Sequence, residues 1–120
     1  MKTILITGAS SGIGLATAEL FLKKGWQVGL LARRIRPLQD LADQYDAAIP
    51  LIADVTDPTA MEKAFVSLIE KTGKLDVLFN NAGVSTPPGT IDEISLDHWN
   101  TSVAVNLTGM FLAARFAFAA

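Results

Sequence analysis

The stretch that decides the fold reads Thr7-Gly8-Ala9-Ser10-Ser11-Gly12-Ile13-Gly14, referred to below as the glycine turn. It follows the apolar run Ile4-Leu5-Ile6, which is typical of a buried parallel strand, and it precedes an apolar pattern typical of a helix. Glycines allow a sharp turn and leave no Cβ between backbone and ligand. A helix that begins near Gly12 would direct its free N–H groups at a pyrophosphate. By itself, the triplet is equally compatible with a strand–helix turn that binds nothing.

The composition bounds the class of protein. Of the 120 residues, 50% are hydrophobic and 18% are charged, which suits one globular domain with its own core. The net charge of −2 argues against a protein that coats nucleic acid, and no metal-ligand spacing is apparent. The absence of cysteine excludes disulfides, no signal-peptide pattern opens the chain, and polar residues interrupt the longest apolar stretch. We therefore expect a cytoplasmic protein without a membrane span.

Strand and helix patterns alternate along the chain. Apolar runs predict further strands over residues 27–32, 47–53 and 75–80. Periodicity and end signals predict helices over 12–24, from Pro37, over 58–72 and from residue 95 to the carboxyl terminus. Pro50 suits an edge strand, and Asp57 followed by Pro58 is typical of a helix start. Alternation of this kind indicates βαβ units and a parallel sheet within one α/β domain.

Four segments follow the carboxyl ends of predicted strands, where ligands bind in open α/β sheets. They are the glycine turn, Ala32-Arg33-Arg34, Asp54-Val55 and Asn80-Asn81-Ala82-Gly83. Because the strands are parallel, all four segments would face one crevice, and this convergence is far more specific than the glycine turn alone.

The end of the second predicted strand bears on the choice of cofactor. In dinucleotide folds an acidic residue about 20 residues past the glycines binds the adenosine-ribose 2′-hydroxyl. Ala32 occupies that place here, Arg33 and Arg34 follow it, and a guanidinium suits a phosphate dianion. We interpret the arginines, Arg33 before Arg34, as a 2′-phosphate site that favours NADP(H) over NAD(H). Two solvated surface charges are the alternative.

The other two strand ends each have two interpretations. Asp54 could accept a hydrogen bond from the adenine amino group or simply cap a strand end. The two asparagines could bond neighbouring strand ends together, and Ala82-Gly83 would let a ribose lie against the backbone. Both roles of this last segment can hold at once.

With these motifs in order, the chain resembles the short-chain dehydrogenase/reductase family over essentially its whole length. The matching motifs are Thr7-Gly8-x-x-x-Gly12-Ile13-Gly14, Asp54-Val55, Asn80-Asn81-Ala82-Gly83 and Val105-Asn106. The resemblance implies an NAD(P)-binding domain over residues 1–120, with a Rossmann-type doubly wound parallel sheet, strand order 3-2-1-4 and helices on both faces. It also implies hydride transfer between nicotinamide and the carbonyl or alcohol carbon of a small molecule.

The resemblance also assigns roles to individual residues. The expected cofactor-binding residues are Gly8, Ser10, Ser11, Gly12, Ile13, Gly14, Arg33, Arg34, Asp54, Val55, Asn80, Ala82 and Gly83. In the family, the residue in the place of Asn106 lies at a local helix break, where its backbone holds a water of a proton relay. Asn106 is thus the one candidate for the catalytic group, whereas an Asn in an apolar helix usually bonds within its own helix.

The family's other catalytic residues are missing from the printed sequence. In the family, a Ser after a fifth strand and a Tyr-x-x-x-Lys pair carry the reaction, and the sequence reaches Ala120 before any of them. The one tyrosine, Tyr45, is followed four residues later by Ile49. We expect the amino-terminal, truncated part of an NADP(H)-dependent oxidoreductase, inactive as this chain. A dinucleotide-binding or interaction module without catalysis is the alternative.

The predicted last helix is apolar around much of its circumference and therefore requires burial on more than one side. The fourth strand would also have an unpaired edge, which invites association. In the family, this helix packs on the sheet and against a second subunit. We predict a homo-oligomer formed through the last helix, or else an unstable chain.

Overall fold

Four parallel strands form one sheet in the computed structural model, which describes all of residues 1–120. The strands are β1 (Thr3–Thr7), β2 (Gln27–Ala32), β3 (Ala48–Ile52) and β4 (Val77–Phe79). Their order is β3-β2-β1-β4, and every pairing is parallel, as predicted. Pro50 lies opposite Leu30 in β3. Because β3 is an edge strand with a neighbour on one side only, the missing N–H of Pro50 does not interrupt hydrogen bonding to a second strand.

The helices are α1 (Gly12–Lys23), α2 (Ile35–Gln44), α3 (Pro58–Thr72), α4 (Leu96–Val103) and α5 (Gly109–Ala119). The predicted signals at α3 are confirmed: the Asp57 carboxylate accepts hydrogen bonds from two first-turn N–H groups, and Gly73 ends the helix at φ +78°. The prediction that α2 starts at Pro37 is wrong, because α2 begins at Ile35. Pro37 is tolerated there because the first-turn N–H groups of a helix have no intrahelical partner.

Two helical layers cover the two faces of the sheet. Side chains alternate along β1, so Ile4 and Ile6 enter one apolar cluster and Leu5 enters the other. The first cluster contains residues of α1 and α2, and the second contains residues of α3 and α5. All five residues of β1 are buried, which explains the uninterrupted apolar run Ile4-Leu5-Ile6 between its two threonines. The predicted doubly wound arrangement is confirmed.

The last helix is continuous over Leu96–Ala119, with a wider π-helical turn at Ala104–Thr108 joining α4 to α5. Before it, residues 85–94 form an irregular loop, apart from a short 3₁₀ turn at Ile91–Glu93. By length and composition alone, this helix is the one in the structure that could cross a membrane. Core helices of soluble proteins meet the same criterion, so the expected absence of a membrane span stays a prediction.

Candidate functional site

A cleft of about 520 Å³ opens at the carboxyl ends of the four strands. Nine of the thirteen residues predicted to bind a cofactor line it: Gly8, Ser10, Ser11, Arg33, Arg34, Asp54, Val55, Ala82 and Gly83. The parallel register brings these residues together from loops that are up to 75 positions apart in the chain, as Ala82 and Thr7 illustrate. The predicted convergence of the strand ends therefore exists as one cavity.

The amino terminus of α1 reaches this cleft without a side-chain cap. Ser11 is the N-cap residue and lines the cleft, but its hydroxyl makes no capping hydrogen bond and the first turn contains no acidic residue. By contrast, Asp57 caps α3 and Ser95 caps α4. The first-turn N–H groups of α1 and its positive dipole end are thus free for an anion.

The glycine turn packs tightly against the loop after β4. A Cβ on Gly8, which has φ +66°, would lie 3.0 Å from the Ala82 Cα. A Cβ on Gly14 would lie 2.2 Å from the Gly8 carbonyl oxygen and 2.7 Å from the Asn81 Nδ2. Gly14 therefore lies at a packed contact outside the cleft lining, where only the absence of a side chain permits this approach.

Hydrogen bonds tie β1 to the loop after β4. The buried Thr7 hydroxyl accepts from the backbone N–H groups of Asn81 and Ala82, both at 2.9 Å. The Asn81 amide donates to the Thr7 carbonyl at 3.3 Å and to the Gly8 carbonyl at 3.5 Å. This is the strand-locking role considered for the asparagines, and Thr7 is the partner that sequence reasoning missed.

Asn80, Gly12 and Ile13 are not among the residues that line the cleft. The Asn80 Nδ2 donates to the Met110 carbonyl of α5 at 2.9 Å, so this side chain joins the loop to the last helix. Ile13 is 71% exposed, and Gly12 has φ +56° in open space. As with Gly14, the structure does not bring these residues into the cleft lining, and their cofactor contacts stay predictions.

Charged groups line the cleft at the carboxyl ends of β2 and β3. The Arg34 Nη2 donates to the Ser10 hydroxyl at 3.4 Å, which links the loops after β2 and β1. The Asp54 Oδ1 accepts from the Thr56 backbone N–H at 3.0 Å and from the Thr56 hydroxyl at 2.8 Å. The backbone bond is the main cause that lowers the pKa of Asp54; partial burial opposes it, while the Thr56 hydroxyl and the Arg33 charge lower the pKa further. Asp54 is therefore ionised at neutral pH and can only accept hydrogen bonds.

Asn106 lies in the π-helical turn, where the resemblance implies a break in the helix. Its Oδ1 accepts from the Val84 N–H at 2.8 Å, and its Nδ2 donates to the Val84 carbonyl at 2.9 Å. The same Nδ2 donates to the Ser102 hydroxyl at 3.1 Å. The side chain thus binds mainly outside its own helix, and it reaches the loop that lines the cleft. The water-holding role of its backbone stays a prediction.

Six further residues line the cleft beyond those predicted to bind the cofactor. They are Leu31, Ala32, Ala53, Asn81, Val84 and Val105. Ala32 and Asn81 belong to predicted strand-end segments and Ala53 stands immediately before one, so their position at a strand end was an available signal. Val84 and Val105 carry no such signal, because an apolar residue gives no sign in the sequence of which cavity it lines.

Known proteins resemble this chain in sequence. A family model described as short chain dehydrogenase matches residues 2–120. A serine 3-dehydrogenase of Agrobacterium fabrum is 43% identical over 109 residues, which are 90% of this chain and 44% of that protein. The short-chain dehydrogenase reductase 5 of Arabidopsis thaliana is 40% identical over 110 residues, which are 90% of this chain and 42% of that protein.

Solved structures share the fold as well. A 3-ketoacyl-ACP reductase from Sinorhizobium meliloti superposes with a TM-score of 0.90 at 38% identity, over 97% of this chain and 47% of that one. A 3-ketoacyl-(acyl-carrier-protein) reductase from Brucella melitensis, complexed with NADH, gives a TM-score of 0.91 at 33% identity, over 95% and 47%. This chain therefore spans less than half the length of these relatives. Because the family model matches nearly every residue, this chain belongs to the short chain dehydrogenase family.

Proposed function

We propose that this chain is the cofactor-binding part of an NADP(H)-dependent short-chain oxidoreductase. The observation that carries the proposal is the cleft itself, in which the uncapped amino terminus of α1 lies beside two guanidinium groups. An anion-binding helix end and a pair of cations suit a ligand with two separate phosphate groups. NADP(H) has a pyrophosphate and a 2′-phosphate, so it fits this donor set.

Different residues of the cleft would bind different parts of the cofactor. The first turn of α1 would hold the pyrophosphate, and the ionised Asp54 would accept a hydrogen bond from the adenine amino group. Ala82 and Gly83 line the cleft with backbone and at most a methyl group, so a ribose could lie against this segment. The bound nicotinamide would supply the hydride chemistry, and these residues would bind and orient it.

The preference for NADP(H) rests on the end of β2. Arg33 and Arg34 line the cleft at the place where NAD-dependent folds carry a carboxylate for the ribose 2′-hydroxyl. Arginine's planar fork suits a phosphate dianion, whereas a 2′-hydroxyl gains little from it. The Brucella melitensis structure contains NADH, so cofactor choice within this group of proteins needs a direct test on this chain.

The test is a binding titration of the 120-residue chain with NADPH and NADH, before and after Arg33→Ala. We expect tighter binding of NADPH by the parent, and about a tenfold loss of NADPH affinity in the variant, since one charge-assisted hydrogen bond contributes about 1.5–3 kcal/mol. NADH affinity should barely change. Arg36→Ala, on α2 outside the cleft lining, is the matched control. An unchanged preference in Arg33→Ala would refute the role of Arg33.

Catalysis is proposed for a longer protein that contains this chain. The printed residues include no Tyr-x-x-x-Lys pair, and we expect this chain to bind dinucleotide without hydride transfer to a panel of carbonyl compounds. Measurable oxidation of NADPH by the pure chain would overturn that expectation. We also propose a cytoplasmic location, which the absence of cysteine supports.

A further inference from the structure

Asn106 holds one residue of the cleft wall by both of its backbone polar groups. Its carboxamide pairs with the N–H and the carbonyl of Val84, as a neighbouring strand would. A Cβ on Gly83 would lie 3.2 Å from the Asn106 Oδ1. Two consecutive residues of this loop, Gly83 and Val84, therefore pack directly against the Asn106 carboxamide. Gly83 and Val84 both line the cleft. The position of this wall therefore depends on the orientation of the Asn106 side chain.

Ser102 completes the hydrogen bonding of that side chain. Val84 uses the Oδ1 and one hydrogen of the Nδ2, and the second Nδ2 hydrogen is donated to the Ser102 hydroxyl at 3.1 Å. Ser102 lies four residues before Asn106 in α4, which places it beside Asn106 on the same side of the helix. Without the hydroxyl, this partly buried hydrogen would lose its acceptor, and the side chain could leave the Val84 geometry at lower cost.

We propose that Ser102 is a positioning residue of the cofactor cleft, which acts through Asn106 on Val84. The inference rests on the proposed function for its cofactor, but its first step, Ser102 to Asn106 to Val84, is independent of any ligand. Ser102 itself contacts no cofactor in this scheme, since it does not line the cleft. Through its hydrogen bond to Asn106, Ser102 links α4 to the position of the loop after β4.

The test compares three variants of the chain in NADPH titrations: Ser102→Ala, Ser102→Thr and Thr101→Ala. Alanine has the higher helix propensity, so lost affinity in Ser102→Ala cannot come from a weakened helix. We expect that loss to be about threefold to tenfold, the range for one neutral hydrogen bond. Ser102→Thr keeps the hydroxyl and should restore the affinity. The exposed Thr101 on the same helix makes no side-chain hydrogen bond, so Thr101→Ala should match the parent.

Hydrogen exchange of the Val84 amide, measured by NMR without ligand, tests the ligand-independent step. We expect this amide hydrogen to exchange faster in Ser102→Ala than in the parent, and at the parent's rate in Ser102→Thr and Thr101→Ala. Unchanged exchange in Ser102→Ala overturns the proposal, and so does faster exchange with unchanged NADPH affinity. If the parent chain binds neither dinucleotide, the proposed function fails, while faster exchange at Val84 still supports the positioning step.

Discussion

The three glycines of the glycine turn are required for three different physical reasons. Gly8 combines a positive φ with a close approach by Ala82, and Gly12 has a positive φ in open space. Gly14 has ordinary helical geometry but no room for a side chain, because the Gly8 carbonyl and the Asn81 amide occupy that volume. The sequence pattern predicts that glycines are needed here. Only the packed structure shows which glycine is required for its positive φ and which for lack of room for a side chain.

Gly14→Ala should therefore destabilise the chain even though alanine is the better helix former. The new Cβ would overlap the Gly8 carbonyl oxygen, so the turn or the loop after β4 has to move. We expect a loss of about 1–3 kcal/mol in the free energy of unfolding, the usual cost of overpacking, measured by urea denaturation. Gly12→Ala is the comparison variant, since it adds only backbone strain. A Gly14→Ala chain as stable as the parent would contradict the packing argument.

Neighbouring asparagines show how far residue identity predicts a role. Asn80 and Asn81 have the same side chain and follow the same strand, yet Asn81 binds β1 and Asn80 binds the last helix. Successive side chains along an extended segment point to opposite sides, which accounts for the split. The sequence predicted a polar strand end, but the partners of each asparagine depend on which elements pack on either side.

At the scale of elements, the amino terminus of α1 differs from those of α3 and α4. Asp57 and Ser95 cap α3 and α4 with their side chains. By contrast, α1 and α2 have no side-chain cap, and their N-cap residues Ser11 and Arg34 line the cleft. A free helix end costs stability in the ligand-free chain. The uncapped end of α1 leaves its first-turn N–H groups available to an anion, in accord with the proposed pyrophosphate site.

Ser11→Asp tests this trade between stability and binding. A carboxylate at this N-cap should stabilise the ligand-free chain by about 0.5–1 kcal/mol, through capping and the helix dipole. The same charge would repel a pyrophosphate, so NADPH affinity should fall by about tenfold or more. Ser95→Asp makes the equivalent change at α4, outside the cleft, and should leave NADPH binding unaltered. Urea denaturation and NADPH titration of both variants check the result. Undiminished NADPH binding by Ser11→Asp would contradict the proposal that the amino terminus of α1 binds the pyrophosphate.

Element types were predictable because apolar periodicity and end signals agreed along the chain. Asp57-Pro58 and Gly73 marked both ends of α3, and the structure has them there. The fourth strand was predicted over residues 75–80 but pairs with β1 only over Val77–Phe79. At one end of this pairing the Asp76 carboxylate accepts from the Thr3 N–H, and at the other end the Thr7 hydroxyl accepts from the Asn81 N–H. Side-chain hydrogen bonds therefore replace the backbone ladder at both ends of β4, and apolarity alone does not predict them.

At the scale of the whole molecule, one side of the last helix is left uncovered. Its exposed apolar residues are Leu96, Trp99, Leu107, Met110, Phe111 and Phe118. Within α5, at about 100° per residue, Met110, Phe111 and Phe118 fall within about one third of the circumference and form one stripe. On the other side of α5, Leu112 and Ala113 are buried, and Ala113 joins the apolar cluster formed by the sheet and α3. Neighbouring exposed apolar side chains of this kind are typical of interaction sites on protein surfaces.

The stripe predicts that the chain associates with copies of itself in solution. Burying large apolar side chains that are now half exposed or more, such as Leu107 and Phe111, would supply the driving force, at about 25 cal/mol for each Å² removed from water. Equilibrium sedimentation of the parent chain should show a dimer or a larger species. Phe111→Lys should shift the chain toward monomer, because association would bury an unpaired charge. Ile52→Lys is the control: it places a charge at an exposed apolar position on the edge strand β3, where Ile52 is 48% exposed against 58% for Phe111, and it should leave the parent's assembly in place. If the parent sediments as a monomer at every concentration, the stripe does not serve self-association.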